Sequence, residues 1–352
     1  MNFHLKRMEQ TGFSLLKTLT VRLSISKFFG FILLLFGITN GAFGDDWPAF
    51  RHDVARSAIS SESLTFPLQR SWSHSMAQPP APAWPPPHFI ILNRLDFDYA
   101  PQPVAAGGIV CLGSSSDDTV RAFDWTTGKL RWQFITGGPV RIAPQIVDEH
   151  VYFASDDGCA YCVDARTGSL IWKFNAATNP EKYIGNGRMI SRWPIRTGVM
   201  VDRGIAYLVA GIWATEGVFA YALDAKTGRK IWCNDTSDYA GLDYNKLLTT
   251  ENRRTLRHGV HDGDFGFYGL TPQGALAVTQ DVLLIPNGYN STAGMDRSTG
   301  KLLFAAPKAG RGGTWLRTEG DAFFTMYRHR NMRVLLMKCD ARTGERIGLQ
   351  QH

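Results

Sequence analysis

The densest set of potential ligands in the chain is His258-Gly259-Val260-His261-Asp262-Gly263-Asp264, two imidazoles and two carboxylates within seven residues. Such groups hold metal ions or polar ligands when a loop gathers them. The spacing of His258, His261, Asp262 and Asp264 follows no established ligand pattern, however, and a solvated Gly-rich loop has the same composition; Asp243 and Glu251 nearby add nothing to it. No metal is therefore assigned. A second set, Arg188, Arg192 and Trp193, lies in the run Asn186 to Pro194. Two guanidiniums and an indole can clamp an anionic or planar ligand; alternatively the Trp-Pro pair packs a loop while the arginines cap carbonyls. Cys159-Ala160-Tyr161-Cys162 is formally C-x-x-C, but it lies in an alternating stretch where side chains three apart leave opposite faces of a strand. Buried small hydrophobes are expected there, not a redox pair. G-x-S-x-G, H-E-x-x-H and the phosphate-binding loop are absent, and no catalytic residue is assigned.

The elements that must position these groups are written in a repeat. The pattern Asp, two residues, Thr-Gly, three residues, usually Trp, occurs five times. Three copies are complete: Asp124, Gly128 and Trp132; Asp164, Gly168 and Trp172; Asp224, Gly228 and Trp232. Two are degraded, Asp296 with Gly300 and Phe304, and Asp340 with Gly344 and Gly348. The spacings are 40, 60, 72 and 44 residues. Asp can accept hydrogen bonds from backbone two or three residues on, nucleating a turn, and Gly supplies the positive φ of a tight turn. The Trp offers a broad apolar face and one donor, which suits it to wedging between sheets. In the clearest unit, Ala143–Val147, His150–Ser155, Cys159–Val163 and Leu170–Phe174 alternate as strands. Four-stranded units at about 40 residues read as propeller blades. The fold class expected is all-β, a propeller with blades at 101–135, 140–175, 195–234, 271–306 and 313–350. An orphan strand, Leu68–Ser73, lies ahead of them. Either this is an irregular five-blade arrangement or an incomplete seven- or eight-bladed ring, and truncation is the reading preferred here.

These residues resemble the pyrroloquinoline-quinone-type β-propeller repeat, over about residues 101–350. Val151 to Gly158 leading to Trp172, and Tyr221 to Trp232, match it best. Asp46-Trp47-Pro48-Ala49-Phe50-Arg51-His52-Asp53 with Arg56-Ser57, and Gly185 to Pro194, are similar to stretches of an exported, planctomycete-like bacterial subgroup. The resemblance implies the fold; it covers quinoprotein dehydrogenases and outer-membrane assembly scaffolds alike. In the dehydrogenases it implies pyrroloquinoline quinone bound at the central funnel, over two adjacent cysteines. No two of the five cysteines here are adjacent, and the Glu, Asn and Asp set that would hold calcium is not found. No cofactor is assigned, the quinone being implied by resemblance alone. The chain is accordingly expected to be a non-catalytic binding or scaffolding protein, with a quinoprotein oxidoreductase as the alternative. Its partner would be a protein or a small molecule at a propeller face; missing C-terminal blades or a partner chain would complete the ring.

Three long insertions, 76–100, 175–194 and 235–268, interrupt the period. The first is Pro-rich and is expected to be an extended surface loop. Residues 1–44 hold a basic start, the apolar run Phe28 to Ile38, and Ala42-Phe43-Gly44. These are the parts of a secretory signal cleaved after Gly44, with an uncleaved membrane anchor as the alternative. Export is expected, to the periplasm or beyond. Residues 45–100 then form an N-terminal extension. The chain of 352 residues carries a formal net charge of +7. Five of its 38 basic and one of its 31 acidic residues lie in 1–44, so the remaining 33 and 30 leave only +3. That balance does not support a nucleic-acid partner, and no later segment is apolar enough to span a membrane.

Overall fold

The computed structural model describes residues 45–85, 97–176, 179–236, 270–288, 292–305, 313–328 and 334–350. The expected signal segment and His258, His261, Asp262 and Asp264 lie outside the described residues. Five four-stranded antiparallel sheets follow one another, each a meander in sequence order. Blade 1 is β1 (Val104–Ala106), β2 (Ile109–Ser114), β3 (Thr119–Asp124) and β4 (Leu130–Ile135). Blade 2 is β5 (Gln145–Val147), β6 (His150–Ala154), β7 (Cys159–Asp164) and β8 (Leu170–Asn175). A hairpin, β9 (Lys182–Gly185) and β10 (Arg188–Ser191), precedes blade 3, which is β11 (Met200–Asp202), β12 (Ile205–Ala210), β13 (Phe219–Asp224) and β14 (Lys230–Asn234). Blade 4 is β15 (Ala277–Val278), β16 (Val282–Ile285), β17 (Ala293–Asp296) and β18 (Leu302–Ala305). Blade 5 is β19 (Leu316–Glu319), β20 (Ala322–Arg328), β21 (Val334–Asp340) and β22 (Arg346–Gln350). Among the described residues there is no α-helix, only one 3₁₀ turn at Ala214–Glu216, and no helix long and apolar enough to cross a membrane. The fold is an all-β propeller of four-stranded blades.

Each repeat motif closes its blade as its residue types require. In blade 2, Asp164 Oδ1 accepts from the backbone N–H of Arg166 at 3.1 Å and of Thr167 at 2.7 Å, and from the Thr167 hydroxyl at 2.7 Å. Gly168 sits at φ +73°, and a Cβ there would stand 2.8 Å from Trp132 Cδ2. Left-handed backbone and a neighbouring indole thus both demand glycine. The wedge is the Trp of the preceding blade. Trp132 Nε1 donates to Ala165 O at 2.8 Å, Trp172 Nε1 to Ala225 O at 2.8 Å and Trp232 Nε1 to Arg297 O at 2.9 Å. Phe304 lies against Gly344 in the same way but has no donor to offer. Cys159 faces the core shared with blade 1 and Cys162 the core shared with blade 3. Both are buried free thiols, as all five cysteines are free.

Residues 68–73 do not form the strand expected of them. Residues 57–67 before them supply no strands to pair with. The side chain nevertheless does the wedge's job: Trp72 Nε1 donates to Trp125 O at 2.8 Å, with its indole over Gly128. At the other end, Gly348 stands where a wedge would be. Phe324, two residues beyond the partner of the repeat Asp as Tyr152 is in blade 2, lies under Arg317 at 5.7 Å and Lys338 at 5.4 Å.

The repeat aspartates carry a pH dependence. The Thr167 and Thr227 hydroxyls, then the backbone N–H groups, hold Asp164 and Asp224 below the ordinary carboxylate value of 3.8. The folded values lie below the unfolded one, so their contribution is complete above about pH 4 and is lost as pH falls through the folded values. The melting temperature of the full chain is expected to fall steadily from about pH 4 downward, and Asp164→Asn is expected to flatten that slope.

Candidate functional site

Four residues before the first strand of blades 2, 3 and 4 stand Arg141, Arg196 and Gln273. First strands touch one another across blades, as when Gln145 Nε2 donates to Val201 O at 2.9 Å and Gln145 Oε1 accepts from Val201 N at 2.8 Å. These segments are therefore the inner edge of the propeller. All three side chains are buried, Arg196 and Gln273 almost completely. Asp156, from the β6–β7 turn of blade 2, accepts from Arg141 Nε at 2.6 Å and from Arg196 Nε and Nη2 at 3.3 Å. One carboxylate thus ties two blades together. Burial would raise its pKa, but the two guanidiniums outweigh it and hold Asp156 below the usual range.

The Pro-rich insertion is not simply a surface loop. Its described ends turn inward because they carry the partners this inner edge lacks. Asp98 Oδ2 accepts from Arg141 Nη1 at 2.6 Å and from Ala83 N at 2.8 Å. Arg141 Nη1 also donates to Ala81 O at 2.6 Å. Trp84 covers the Arg196 guanidinium at 5.4 Å and donates to Gln273 Oε1 at 2.6 Å. Burial dominates at Asp98 despite Arg141, and its pKa is raised. Beneath, Ala83, Phe97, Ile142 and Ala275 form an apolar cluster with Phe50 and Trp84.

From the other side the Trp47 to Arg56 segment runs along the inner strands. Trp47 exchanges both backbone bonds with Ala105, at 2.6 and 2.9 Å. Pro48 O accepts from Ile146 N at 2.8 Å, Val54 O from Val278 N at 3.2 Å and Ala55 O from Thr318 N at 2.8 Å. The segment thereby satisfies edge groups of blades 1, 2, 4 and 5. Arg56, buried and lowered to about 10 by that burial, donates to Leu276 O, Phe50 O and Asp53 O and fixes the segment's bend.

The residues singled out from sequence are placed differently. Arg188 donates to Ser116 O at 2.7 Å and pairs with Asp118, fastening the hairpin to blade 1. Arg192 pairs with Glu181 and Glu216. Trp193 is buried and donates to Glu216 O at 2.7 Å. Arg192 stands over the Trp193 ring at 5.3 Å, so those two meet, while Arg188 is engaged elsewhere. The inner-edge residues were not singled out. The signal available for them is Pro139-Val140-Arg141 against Pro194-Ile195-Arg196, a Pro, a β-branched residue and an Arg at the same offset from a blade's first strand. Among the described residues no group of His, Cys, Asp and Glu forms a metal site.

A family model described as outer membrane protein assembly factor BamB matches residues 69–207. A polyvinylalcohol dehydrogenase from a Pseudomonas species is 23% identical over 114 residues, 32% of this chain and 16% of that protein. Among solved structures, the quinohemoprotein alcohol dehydrogenase from Comamonas testosteroni superposes with a TM-score of 0.53 at 17% identity, over 87% of this chain and 49% of that one. BamB from Moraxella catarrhalis gives 0.46 at 18% identity, over 70% and 61%. This chain spans less than two thirds of the length of each of these three proteins. With its five Asp-x-x-Thr-Gly turns closing five blades, the chain has a β-propeller fold, and over residues 69–207 it is similar to the pyrroloquinoline-quinone-like repeat family.

Proposed function

We propose that the protein is an exported propeller that acts as a non-catalytic binding or scaffolding protein, offering a propeller face to a protein or a small molecule. The observation that carries this reading over a quinoprotein oxidoreductase is the packing of the inner edge. Cofactor sites take several hundred Å³, whereas the pocket beside Asp98 and Arg141 measures about 10 Å³, the space of one water. The Phe50, Phe97, Ile142 and Trp84 cluster occupies the region beneath it. The described residues there do not fit a quinone: two Arg are already paired with two Asp, and no pair of adjacent cysteines exists in the sequence. Export rests on the composition of residues 1–44.

The test is addition of pyrroloquinoline quinone and calcium to the purified full chain. Absorbance and dye-linked oxidation of alcohols and sugars are then followed. No saturable absorbance change and no turnover are expected. Saturable binding with turnover would establish the oxidoreductase and overturn the binding reading.

A further inference from the structure

The hairpin of β9 and β10 turns on Asn186-Gly187, with Gly185 paired to Arg188 and Ile184 to Met189. A two-residue hairpin loop of this kind needs positive φ at both central residues, which is why Asn-Gly suits it. The angle is +46° at Asn186 and +78° at Gly187, and both residues are exposed. Among the described residues the Asn186 side chain makes a single hydrogen bond, from Nδ2 to Pro82 O at 2.8 Å. A Cβ placed on Gly187 would have nothing within 4 Å, so neither a side chain of its own nor a neighbouring group crowds that position. The same dipeptide recurs at Asn287-Gly288, where both residues are buried and Asn287 is 1% exposed. There Asn287 Oδ1 accepts from Thr271 N, and its main-chain carbonyl from the Thr271 hydroxyl. One chain thus carries the same chemical pair in two opposite settings. A third pair, Asn40-Gly41, lies outside the described residues.

We propose that Asn186 is a site of spontaneous modification, converted to aspartate and isoaspartate, while Asn287 is protected. The Gly187 nitrogen attacks Asn186 Cγ. A C–N bond forms, the Cγ–Nδ2 bond breaks, and ammonia leaves with the proton that the Gly187 nitrogen gives up. Water then opens the cyclic imide. Cleavage at Cγ leaves aspartate; cleavage at the main-chain carbonyl leaves isoaspartate, whose backbone runs through Cβ. Nothing is oxidised or reduced. Ring formation requires the turn to leave its left-handed conformation, which an exposed loop tip does at low cost. Around Asn287 the same motion breaks two buried bonds to Thr271, and buried groups left unpaired are costly. The two products differ in effect. Aspartate loses the donor to Pro82 O but keeps a two-residue turn. Isoaspartate lengthens the loop, and a hairpin's register is fixed by its loop, so the pairing that buries Ile190 no longer holds.

The experiment is peptide mapping by mass spectrometry of the full-length protein, sampled during incubation at mildly alkaline pH. Isoaspartate is identified by enzymatic methylation of its α-carboxylate. Conversion at Asn186 is expected to be at least tenfold faster than at Asn287, with isoaspartate among the products. In denaturing urea the two rates are expected to converge, since the dipeptide is the same. Amide hydrogen exchange across residues 182–191 is expected to be several-fold faster in the aged protein than in fresh Asn186→Asp, which carries the new charge on an unlengthened backbone. If Asn186→Asp fails to fold, aged and fresh wild type are compared by the same criterion. Conversion at Asn186 no faster than at Asn287 overturns the proposal, as does aspartate without isoaspartate. A rate difference that survives in urea overturns it too, by assigning the difference to sequence and not to the fold. Equal exchange in the aged protein and its reference refutes the loss of register.

Discussion

Trp172→Ala is expected to destabilise the protein by about 3–5 kcal/mol, the range for truncating a buried tryptophan. The indole is 7% exposed, lies against Tyr152 and above Gly228, and donates to Ala225 O at 2.8 Å. Removing it opens a cavity between blades 2 and 3 and strips the Ala225 carbonyl of its donor. The neighbours cannot close in, because the backbone of Gly228 is already fixed by the Asp224 turn. Trp172→Phe keeps most of the ring and loses the N–H, and so is expected to cost less, with the missing hydrogen bond contributing about 1 kcal/mol. Trp72→Ala serves as the comparison. Its indole is half-buried and has a blade on one side, so its loss is expected to cost clearly less than that of Trp172. Urea unfolding of the three variants checks the order. Equal midpoints for Trp172→Ala and wild type would contradict the assignment of the Trp as the wedge.

Asp156→Ala is the second large effect, expected at about 3–5 kcal/mol, the cost of breaking a buried ion pair from one side. Arg141 and Arg196 both lean on this carboxylate, and all three side chains are 1% exposed. Alanine leaves two guanidiniums buried with Asp98 alone to balance them. Asp156→Asn retains an acceptor oxygen and the shape, so it isolates the charge and is expected to fall between alanine and wild type. Denaturant midpoints for the two variants provide the measurement. An asparagine as costly as alanine would place the whole effect in the charge, and an alanine without effect would show that water replaces the carboxylate.

The blades could be read before the structure because their chemistry is local. Asp164, Thr167 and Gly168 meet one another within five residues, and the period of the motif follows directly. Opposite facing of Cys159 and Cys162 was legible for the same reason, since it needs only the alternation of a strand. The candidate site was not. Asp98, Arg141, Asp156 and Arg196 come from four segments, and no spacing in the chain announces that Asp98 will meet Arg141 forty-three residues later. Composition misled in the insertion, where proline marked a loop but Ala83, Phe97 and Asp98 are buried. Arg188 and Arg192 drew attention by type, yet their partners, Asp118 seventy residues before one and Glu216 twenty-four after the other, could not be paired from spacing.

The segment from Trp47 to Arg56 has a consequence for the order in which the chain can be built. Its partners include Leu276, 220 residues away, and Thr318, whose hydroxyl reaches Ala55 O across 263 residues. Synthesis delivers this segment long before blades 4 and 5 exist. Until then Val54, Ala55 and Arg56 have no inner strands to lie along, while each blade can close on its own short-range turn. Loops that long are entropically expensive to close early. Blade formation and completion of the centre are therefore separate events, the first proceeding with elongation and the second waiting for the stretch around Thr318. A ribosome-stalled chain ending before Leu276 would carry finished blades around an unfilled middle.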